Sequence, residues 1–281
     1  MKIDKNIDLY SHNTMRLHSI ADIVYYPEST EDLRQIIALC KSGFLLLAAG
    51  SNVILPEKIH RPVISLMSLN DKMELLDDGR VRVGCSVRVQ RLIRFLQENE
   101  LGGIEYLFSV PASVGGLVYM NGGRGRKYNM AISDYLESVE YLDLDDMMVK
   151  TYHASSSDFS YRHSLFQGMD AIILTAFFRF KHQSPQDTES LVKERLEYSK
   201  RYLSADKPSC GSVFREGNRI VFRLLKGMRI GGAMFSNKTS NWISNVDNAS
   251  YDDICKLIKR AKFLHKLFFS NCSSEIRIIN E

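Results

Sequence analysis

The chain has 281 residues, which is enough for two modest domains or one large one. Its hydrophobic fraction of 44% and charged fraction of 25% are those of an ordinary soluble globular protein. The net charge of +4 is mild, and the sequence carries no zinc-finger, RNP or basic-helix motif, so we expect no nucleic acid as a partner. The N-terminus "MKIDKNIDLY" lacks the apolar core of a signal peptide, and no apolar run approaches the ~18 residues of a membrane helix. We therefore expect a cytoplasmic protein without a membrane partner, and a monomer rather than an oligomer.

The cysteines argue against a metal site. There are five of them, an odd number, and the sequence contains neither a CxxC pair nor a Cys/His spacing typical of zinc. Reduced thiols in a cytosolic compartment are the simplest interpretation. The cysteines are Cys40, Cys85, Cys210, Cys255 and Cys272.

The first fifty residues predict a strand, a helix and a second strand. "ADIVYYP" predicts a strand that ends at Pro27, and Ser29 with Asp32 three residues later predicts the start of a helix. "FLLLAAG" predicts a short strand that runs into the loop "AAGSNVIL". A loop at the carboxyl end of a strand is where α/β sheets commonly bind ligands.

A second loop of small residues follows about sixty residues later. "VRVGCSV" alternates as a strand does, "QRLIRFLQEN" predicts an amphipathic helix, and then "SVPASVGGLVYMNGG" opens another helix. Small residues let a backbone approach a ligand closely and present its N–H groups to phosphate. Two such loops suit a cofactor with a pyrophosphate in its middle.

The remaining elements predict an α+β protein. Residues 133–181 are strand-rich, and the polar segment 184–208 contains a helix and is the best candidate for a domain boundary. Beyond it, "RIVFRLLKG" predicts a short helix, "NWISNV" a strand, and "SEIRII" a final strand. Between the last two lies a longer helix, opened by Ser250 and Asp253 at capping-box spacing. We predict two domains, 1–183 and 184–281.

The stretch "PSCGSVFREG", residues 208–217, allows two interpretations. Gly211 frees the backbone before Ser212, and Arg215 follows about one helical turn later. A serine in this position is first of all a helix cap at a turn. The alternative is a hydroxyl placed for chemistry, and the stretch alone does not decide between them.

Seven motifs in order resemble one known family. They are "AAGSNVIL", "VPASVGGLVYMNGG", "SDYLESVEYLD", "FSYRHSLF", "KPSCGSVF", "LLKGMRIGGAMFSNKTSNWI" and "SEIRIINE", and with "NTMRLHSIADIVYYP" they span nearly the whole chain. This pattern resembles the UDP-N-acetylenolpyruvoylglucosamine reductases of peptidoglycan synthesis, in their shorter class. The resemblance implies an N-terminal FAD-binding domain of the PCMH/vanillyl-alcohol-oxidase type and a smaller C-terminal α+β substrate domain.

The resemblance also implies the cofactors and their contacts. FAD would be the bound cofactor, NADPH the reductant, and the substrate's enolpyruvyl group would be reduced to give UDP-N-acetylmuramate. The implied FAD-binding residues are Ala49, Gly50, Ser51, Asn52 and Val53 from the first loop, and Ala112, Ser113, Val114, Gly115, Gly116, Asn121 and Gly122 from the second.

Three further residues match the family's catalytic positions. Arg162 of "SYRHS" would bind the substrate carboxylate, since a guanidinium binds a carboxylate through two hydrogen bonds. Ser212 would donate the proton, and Glu275 of "SEIRI" would assist the enol. Tyr161 and Arg215 would contact the substrate, Arg215 at its diphosphate.

The chain departs from the family pattern at a few positions. Ala48 and Ala112 replace loop glycines, and an alanine is strained if such a position needs a positive φ. Arg215-Glu216-Gly217 replaces Lys-Asn-Pro. Two alternatives therefore stay open from the sequence: a weakened or flavin-free UDP-sugar-binding homologue, and another FAD oxidoreductase on the same scaffold.

Overall fold

A computed structural model describes residues 1–40, 43–125 and 127–281. Within these ranges the chain forms six α-helices joined by short strands and loops. The helices are α1 (Thr30–Cys40), α2 (Val89–Glu98), α3 (Val114–Met120), α4 (Pro185–Tyr202), α5 (Arg219–Leu224) and α6 (Tyr251–Leu267).

The strands are short and numerous, as expected of a mixed fold with many loops. They are β1 (Lys2–Asp8), β2 (Ile20–Tyr26), β3 (Leu45–Leu47), β4 (Val53–Ile54), β5 (Lys58–Ile59), β6 (Val63–Ser65), β7 (Met73–Leu75), β8 (Val81–Gly84), β9 (Leu101–Gly102), β10 (Leu136–Asp143), β11 (Val149–His153), β12 (Phe159–Ser160), β13 (His163–Ser164), β14 (Ala171–Phe178), β15 (Lys181–His182), β16 (Ser209–Ser212), β17 (Phe214–Glu216), β18 (Arg229–Ile230), β19 (Ala233–Phe235), β20 (Trp242–Asn245), β21 (Ser273–Ser274) and β22 (Arg277–Ile278).

The chain divides into two compact units, each with its own hydrophobic core. The division falls inside α4, within the segment where we predict a domain boundary. Two N-terminal segments belong to the second unit, so each compact unit combines segments that are apart in the sequence. The division into functional domains 1–183 and 184–281 stays a prediction. The first unit is 1–3, 25–49 and 63–196; the second is 4–24, 50–62 and 197–281.

The first unit is built on an antiparallel sheet in the order β11-β10-β14-β8-β7. In β14 every residue from Ile172 to Ala176 is buried, as in a strand with both faces covered. Helix α3 packs against β14 and β8. Leu92, Ile93 and Leu96 of α2 join the same core, so the predicted amphipathic helix is confirmed.

The second unit has an antiparallel sheet in the order β16-β20-β19-β18. Helix α6 packs against β18 and β19, and α5 packs against α6. Helix α6 buries an apolar stripe from Ile254 to Ala261, and His265 continues it. The N-terminal segments contribute Met15 and Ile54 to this core.

The structure corrects two local predictions. Residues 208–217 do not start a helix: Ser212 ends strand β16, so it is not a helix cap. "SEIRII" is not one strand, since Glu275 lies between β21 and β22. The physical reason is tertiary, because the N–H groups of Glu275 and Ile276 both turn towards the carbonyl of Val213, at 2.8 and 3.4 Å.

Helix α6 ends in a Schellman-type turn with an unusual residue. The N–H of Ser270 donates to the carbonyl of His265 at 3.0 Å, and Phe269 between them has a φ of +47°. This left-handed position normally carries glycine, and a residue with a Cβ costs about 1–2 kcal/mol there. Phe269 is also fully exposed, so its ring gains nothing from packing that offsets the strain.

The capping box of α6 gives a testable pH dependence. Ser250 Oγ accepts from the N–H of Asp253 at 3.1 Å, and the Asp253 carboxylate accepts from the N–H groups of Ser250 and Gly232 at 3.0 and 3.1 Å. Burial acts to raise the pKa of Asp253, but these hydrogen bonds outweigh it and lower the pKa below its ordinary value.

We predict that Asp253→Asn lowers the free energy of unfolding at pH 7 by about 1–2 kcal/mol. Because the pKa of Asp253 is lower in the folded than in the unfolded state, its carboxylate stabilises the fold at any pH above the unfolded-state pKa of about 4. This stabilisation is lost as the pH falls through the lower, folded-state pKa. Urea titrations from pH 7 to pH 2 should therefore show that the variant and wild type differ less in free energy of unfolding below about pH 4. Asp252→Asn, at an exposed neighbour, is the matched control. A difference that stays constant with pH would contradict the assignment.

Candidate active site

The first loop turns at Gly50 in the second unit. Gly50 has a φ of +63°, and an added Cβ would overlap the backbone of His12 and Asn13, so only glycine fits. The carbonyl of Gly50 accepts from the N–H of Thr14 at 3.0 Å. Thr14 Oγ1 donates to the carbonyl of Ser209 at 2.7 Å, and its own carbonyl accepts from Ser209 N–H at 3.1 Å. Thr14 thus connects the first loop to strand β16.

The same loop reaches the C-terminal motif through Asn52. Asn52 Nδ2 donates to the carbonyl of Glu275 at 3.1 Å, and the carbonyl of Asn52 accepts from Arg277 N–H at 3.0 Å. Strands β4 and β22 continue this contact as a parallel pair. On the other side, Glu275 N–H donates to the carbonyl of Val213, the residue after Ser212, at 2.8 Å. Three segments remote in sequence therefore meet around Glu275.

Asn241 holds the backbone that follows Ser212, and sequence reasoning missed it. Its carbonyl accepts from Val213 N–H at 3.0 Å. Its side-chain amide accepts from Phe214 N–H at 2.9 Å and donates to the Phe214 carbonyl at 2.8 Å. Asn241 has a φ of +64°, a conformation that asparagine tolerates better than most residues, and this preference in "SNWI" was the available signal.

Cys210, two residues before Ser212, is a structural thiol. Burial raises its pKa to about 11, although hydrogen bonds with Thr14 and Val53 act in the opposite direction. A thiol with this pKa stays protonated at neutral pH, and the thiol is a poor nucleophile compared with the thiolate. Its place beside Ser212 therefore does not make it a reactive cysteine.

Arg215 lies one strand beyond Ser212. It is half-buried in β17, which pairs antiparallel with β21, so that Phe214 lies opposite Ser274. Ser273 Oγ donates to the Glu216 carboxylate at 3.0 Å across this pair. Arg215 therefore projects from a strand held directly beside the segment that leads into Glu275.

The second loop leads into α3 in the first unit. The N–H groups of Val114 and Gly115 donate to the carbonyls of Val87 and Cys85, each at 2.9 Å, so they are already satisfied within the protein. A Cβ on Gly115 would lie 2.9 Å from the Cys85 side chain, so this glycine permits close packing. Ser113 is buried, and its hydroxyl has no hydrogen-bond partner among the described residues. That hydroxyl is a polar group that this loop can offer to a ligand.

The two alanines that replace family glycines are not strained. Neither Ala48 nor Ala112 has a positive φ, so an L-residue fits both positions without penalty. Ala112 N–H donates to the carbonyl of Val110 at 2.9 Å, and Ala112 accepts from Val89 N–H at 3.1 Å. These substitutions therefore do not weaken the loops through their backbone.

Arg162 lies in a two-residue turn, not at the end of a strand. Strands β12 and β13 form a hairpin, with Tyr161 and Arg162 between them, and Arg162 has a φ of +57°. Its Nη1 donates to the carbonyl of Gly123 at 3.0 Å, and its guanidinium lies 5.2 Å from the centroid of the Tyr161 ring. Gln167 Nε2 donates to the Arg162 carbonyl at 3.1 Å. Three neighbouring groups thus fix an arginine in a conformation it rarely adopts.

The hairpin and the C-terminal end of α3 are joined directly. Asn121, in the left-handed conformation that ends α3, donates through Nδ2 to the carbonyl of Ser160 at 3.0 Å. Ser164 Oγ donates to the carbonyl of Tyr119 at 2.8 Å. Gly122 N–H donates to the carbonyl of Leu117 at 2.8 Å. The second loop and the Arg162 turn are therefore held at a fixed separation.

The candidate residues fall into two groups, one in each unit. No set of three His, Cys, Asp or Glu side chains in the described ranges could hold a metal ion, and no helix found there is long and apolar enough to cross a membrane. The first unit carries Ala49, Ala112, Ser113, Val114, Gly115, Gly116, Asn121, Gly122, Tyr161 and Arg162; the second carries Gly50, Ser51, Asn52, Val53, Ser212, Arg215 and Glu275.

The strained backbone at Arg162 predicts that two substitutions of its side chain differ in stability. Arg162→Ala and Arg162→Gly both remove the guanidinium, but only glycine adopts the left-handed φ without a Cβ penalty. We expect the glycine variant to be more stable than the alanine variant by about 1 kcal/mol in chemical denaturation. Equal stabilities, or a less stable glycine variant, would contradict the strained turn.

Comparisons with known proteins match both parts of the chain to one family. A family model described as an FAD binding domain matches residues 21–152. A model described as UDP-N-acetylenolpyruvoylglucosamine reductase, C-terminal domain, matches residues 203–264. A protein of Pelobacter propionicus named UDP-N-acetylenolpyruvoylglucosamine reductase is 31% identical over 96% of this chain and 93% of its own length. A protein of the same name from Francisella tularensis is 34% identical over 91% of this chain and 92% of its own.

A solved structure supports the fold. The crystal structure of UDP-N-acetylenolpyruvylglucosamine reductase from Thermus caldophilus superposes with a TM-score of 0.82, covering 100% of both chains at 24% identity. The expected α+β fold, with an FAD-binding domain followed by the C-terminal domain of these reductases, is confirmed. With 31% identity over nearly its full length to a named relative, the chain belongs to the UDP-N-acetylenolpyruvoylglucosamine reductase family.

Proposed function

We propose that this chain is an FAD-dependent reductase that uses NADPH to reduce the enolpyruvyl group of UDP-N-acetylenolpyruvoylglucosamine, giving UDP-N-acetylmuramate for peptidoglycan synthesis. The observation that carries the proposal is the link from Ser212 through Val213 to Glu275, with Glu275 N–H donating at 2.8 Å. It joins two matched family positions that are more than sixty residues apart in a chain that belongs to the family.

The two loops fit FAD. The first has a turn at Gly50 that admits no side chain, because the backbone of His12 and Asn13 packs against it and fixes the path of residues 49–53. The second offers the buried hydroxyl of Ser113, which needs a hydrogen-bond partner because an unsatisfied buried hydroxyl is unfavourable. Asn121 and Gly122 fix the far end of that loop. FAD, when bound, supplies the hydride-transfer chemistry that amino-acid side chains lack.

Arg162 is proposed to bind the substrate carboxylate. Its planar guanidinium can donate two parallel hydrogen bonds to a carboxylate. Negative charge grows on that side of the substrate when a hydride adds to the double bond, so a fixed cation favours the transition state over the bound substrate. The strained turn supports this role, because strained residues concentrate at functional sites.

Ser212 and Glu275 are proposed to handle the proton. A hydroxyl held within reach of the adjacent carbon can donate a proton as the enolate collapses, although serine is a weak acid in water. The Glu275 carboxyl would assist the enol. Both residues are half-buried, a position that allows contact with a ligand while limiting water. Asn52 and Asn241 would act as positioning residues, since each holds a backbone segment beside them.

Arg215 and Tyr161 are proposed to contact the substrate elsewhere. Arg215, in β17, would meet the diphosphate, for which a guanidinium is a suitable partner. Tyr161, next to Arg162 in the hairpin turn, would pack against the substrate. The alternatives of a flavin-free UDP-sugar-binding protein and of a different FAD oxidoreductase are not favoured, because the relatives matched over nearly the whole chain carry the reductase name.

Ser212→Ala should separate the two half-reactions, which are reduction of the flavin by NADPH and reoxidation of the flavin by the UDP-sugar. We expect anaerobic NADPH to bleach the flavin of the variant at the wild-type rate, since the hydroxyl acts only on the sugar substrate. Reoxidation by the enolpyruvyl UDP-sugar should fall by about 10³-fold or more, as expected when a proton donor is lost from a reaction that depends on it. Stopped-flow absorbance at the flavin band measures both steps.

Ser209→Ala, at the start of the same strand, is the matched control and should keep both half-reactions, because Ser209 bonds Thr14 only through its backbone. Wild-type reoxidation of the Ser212→Ala enzyme would remove Ser212 from the proton-donor role. Failure of both half-reactions in the wild-type enzyme would instead contradict the proposed function as a whole.

Gly50→Ala tests the first loop as part of the FAD site. We expect loss of bound flavin, read as the ratio of visible to ultraviolet absorbance after gel filtration, because the new Cβ overlaps the His12 backbone. Gly79→Ala is the control: its φ of +80° is equally unfavourable for alanine, but the nearest atom is the end of the Arg179 side chain at 3.5 Å. An unchanged flavin content in the Gly50→Ala variant would contradict the proposal that the first loop is part of the FAD site.

A further inference from the structure

Beyond its first turn, helix α6 and the turn after it carry charge of one sign. From Ile254 to Ser274 the sequence contains no acidic residue. Five cations lie on the exposed side of the helix, and within the described part of the chain only the first of them forms an ion pair, at 3.6 Å from Asp252. These cations are Lys256, Lys259, Arg260, Lys262 and Lys266.

Four large apolar side chains are exposed among these cations. Phe263 and Leu267 are 59% and 56% exposed, one helical turn apart on the face opposite the buried stripe. Phe268 and Phe269, just past the helix end, are 43% and 100% exposed. We call the five cations and these four residues the α6 face. It is a helix end with an apolar tip beside a row of positive charges.

Phe269 provides an independent indication that the apolar tip is used. It occupies the left-handed position of the turn, with a φ of +47°, where glycine is normally found. Its ring is fully exposed, so packing within the chain does not account for a phenylalanine there. A strained residue that makes no contact within its own chain suggests a contact outside it.

We propose that the α6 face binds the surface of an anionic membrane, with the apolar tip among the lipid chains and the cations against the headgroups. A helix end that combines exposed Phe and Leu with lysines is typical of segments that lie in a membrane interface. A second copy of the chain is a poor occupant, since it would bring five cations against five. Single-stranded nucleic acid would use the cations and rings but has no need of the aliphatic Leu267.

This surface is separate from the proposed reductase activity and departs from our expectation of no membrane partner. That expectation rested on the sequence lacking a spanning segment, which does not bear on a helix that lies on the surface. Binding of this kind would be reversible and would weaken with added salt, because the electrostatic part is screened.

Sedimentation with vesicles tests the proposal on the full-length protein. Vesicles of phosphatidylcholine with phosphatidylglycerol should bind the protein at low salt, and vesicles of pure phosphatidylcholine should not. Lys259→Ala and Lys262→Ala should each lower the partition coefficient about fivefold. Phe269→Gly is the decisive variant, because it should raise the thermal unfolding temperature by relieving the strained φ and still lower vesicle binding about tenfold.

The matched control is Leu39→Ser, which removes a 66% exposed leucine from α1 in the first unit and should bind vesicles as wild type does. Equal binding by Phe269→Gly and wild type would overturn the proposal, as would equal binding to charged and neutral vesicles. Tighter binding to a single-stranded oligonucleotide than to anionic vesicles, measured by fluorescence anisotropy, would also overturn it. The reductase assay is read separately, and its result bears on the proposed function alone.

Discussion

Two backbone hydrogen bonds, both donated by the segment around Glu275, hold the second unit's part of the site together. Glu275 N–H donates to the carbonyl of Val213, and Arg277 N–H donates to the carbonyl of Asn52, at 2.8 and 3.0 Å. The segment between β21 and β22 is therefore fixed on both sides, by the strand of Ser212 and by the first loop. Because these are main-chain contacts, they depend on the fold being correct and not on any one side chain, which suits a site whose residues come from three remote segments.

In the first unit, the corresponding constraint is one residue, Arg162, held in a strained turn. Arg162 occupies a turn position that favours glycine or asparagine, and its carbonyl and guanidinium are both fixed, by Gln167 and Gly123. The hairpin is tied to the end of α3 through Asn121. A rigid arginine would lose little side-chain freedom on meeting a carboxylate, which supports the role that we propose for Arg162.

Local sequence rules predicted several elements but not how the chain shapes the site. The capping box of Ser250 and Asp253 and the cap of α1 at Ser29 were readable because they involve residues three apart. The strand at Ser212 was not, since its conformation depends on Asn241 and Glu275, distant in sequence. The left-handed turn at Arg162 was not readable either, because local preference places glycine or asparagine there. The roles of Thr14 and Asn52 as connectors needed the tertiary structure for the same reason.

The measurement that tests the central claim most directly is an anaerobic titration of the wild-type protein, followed by its visible absorption spectrum. The account predicts a yellow protein that bleaches with one equivalent of NADPH and regains its colour with one equivalent of the enolpyruvyl UDP-sugar. A protein that takes up no FAD, or one that bleaches and is not reoxidised by the sugar, would contradict the account.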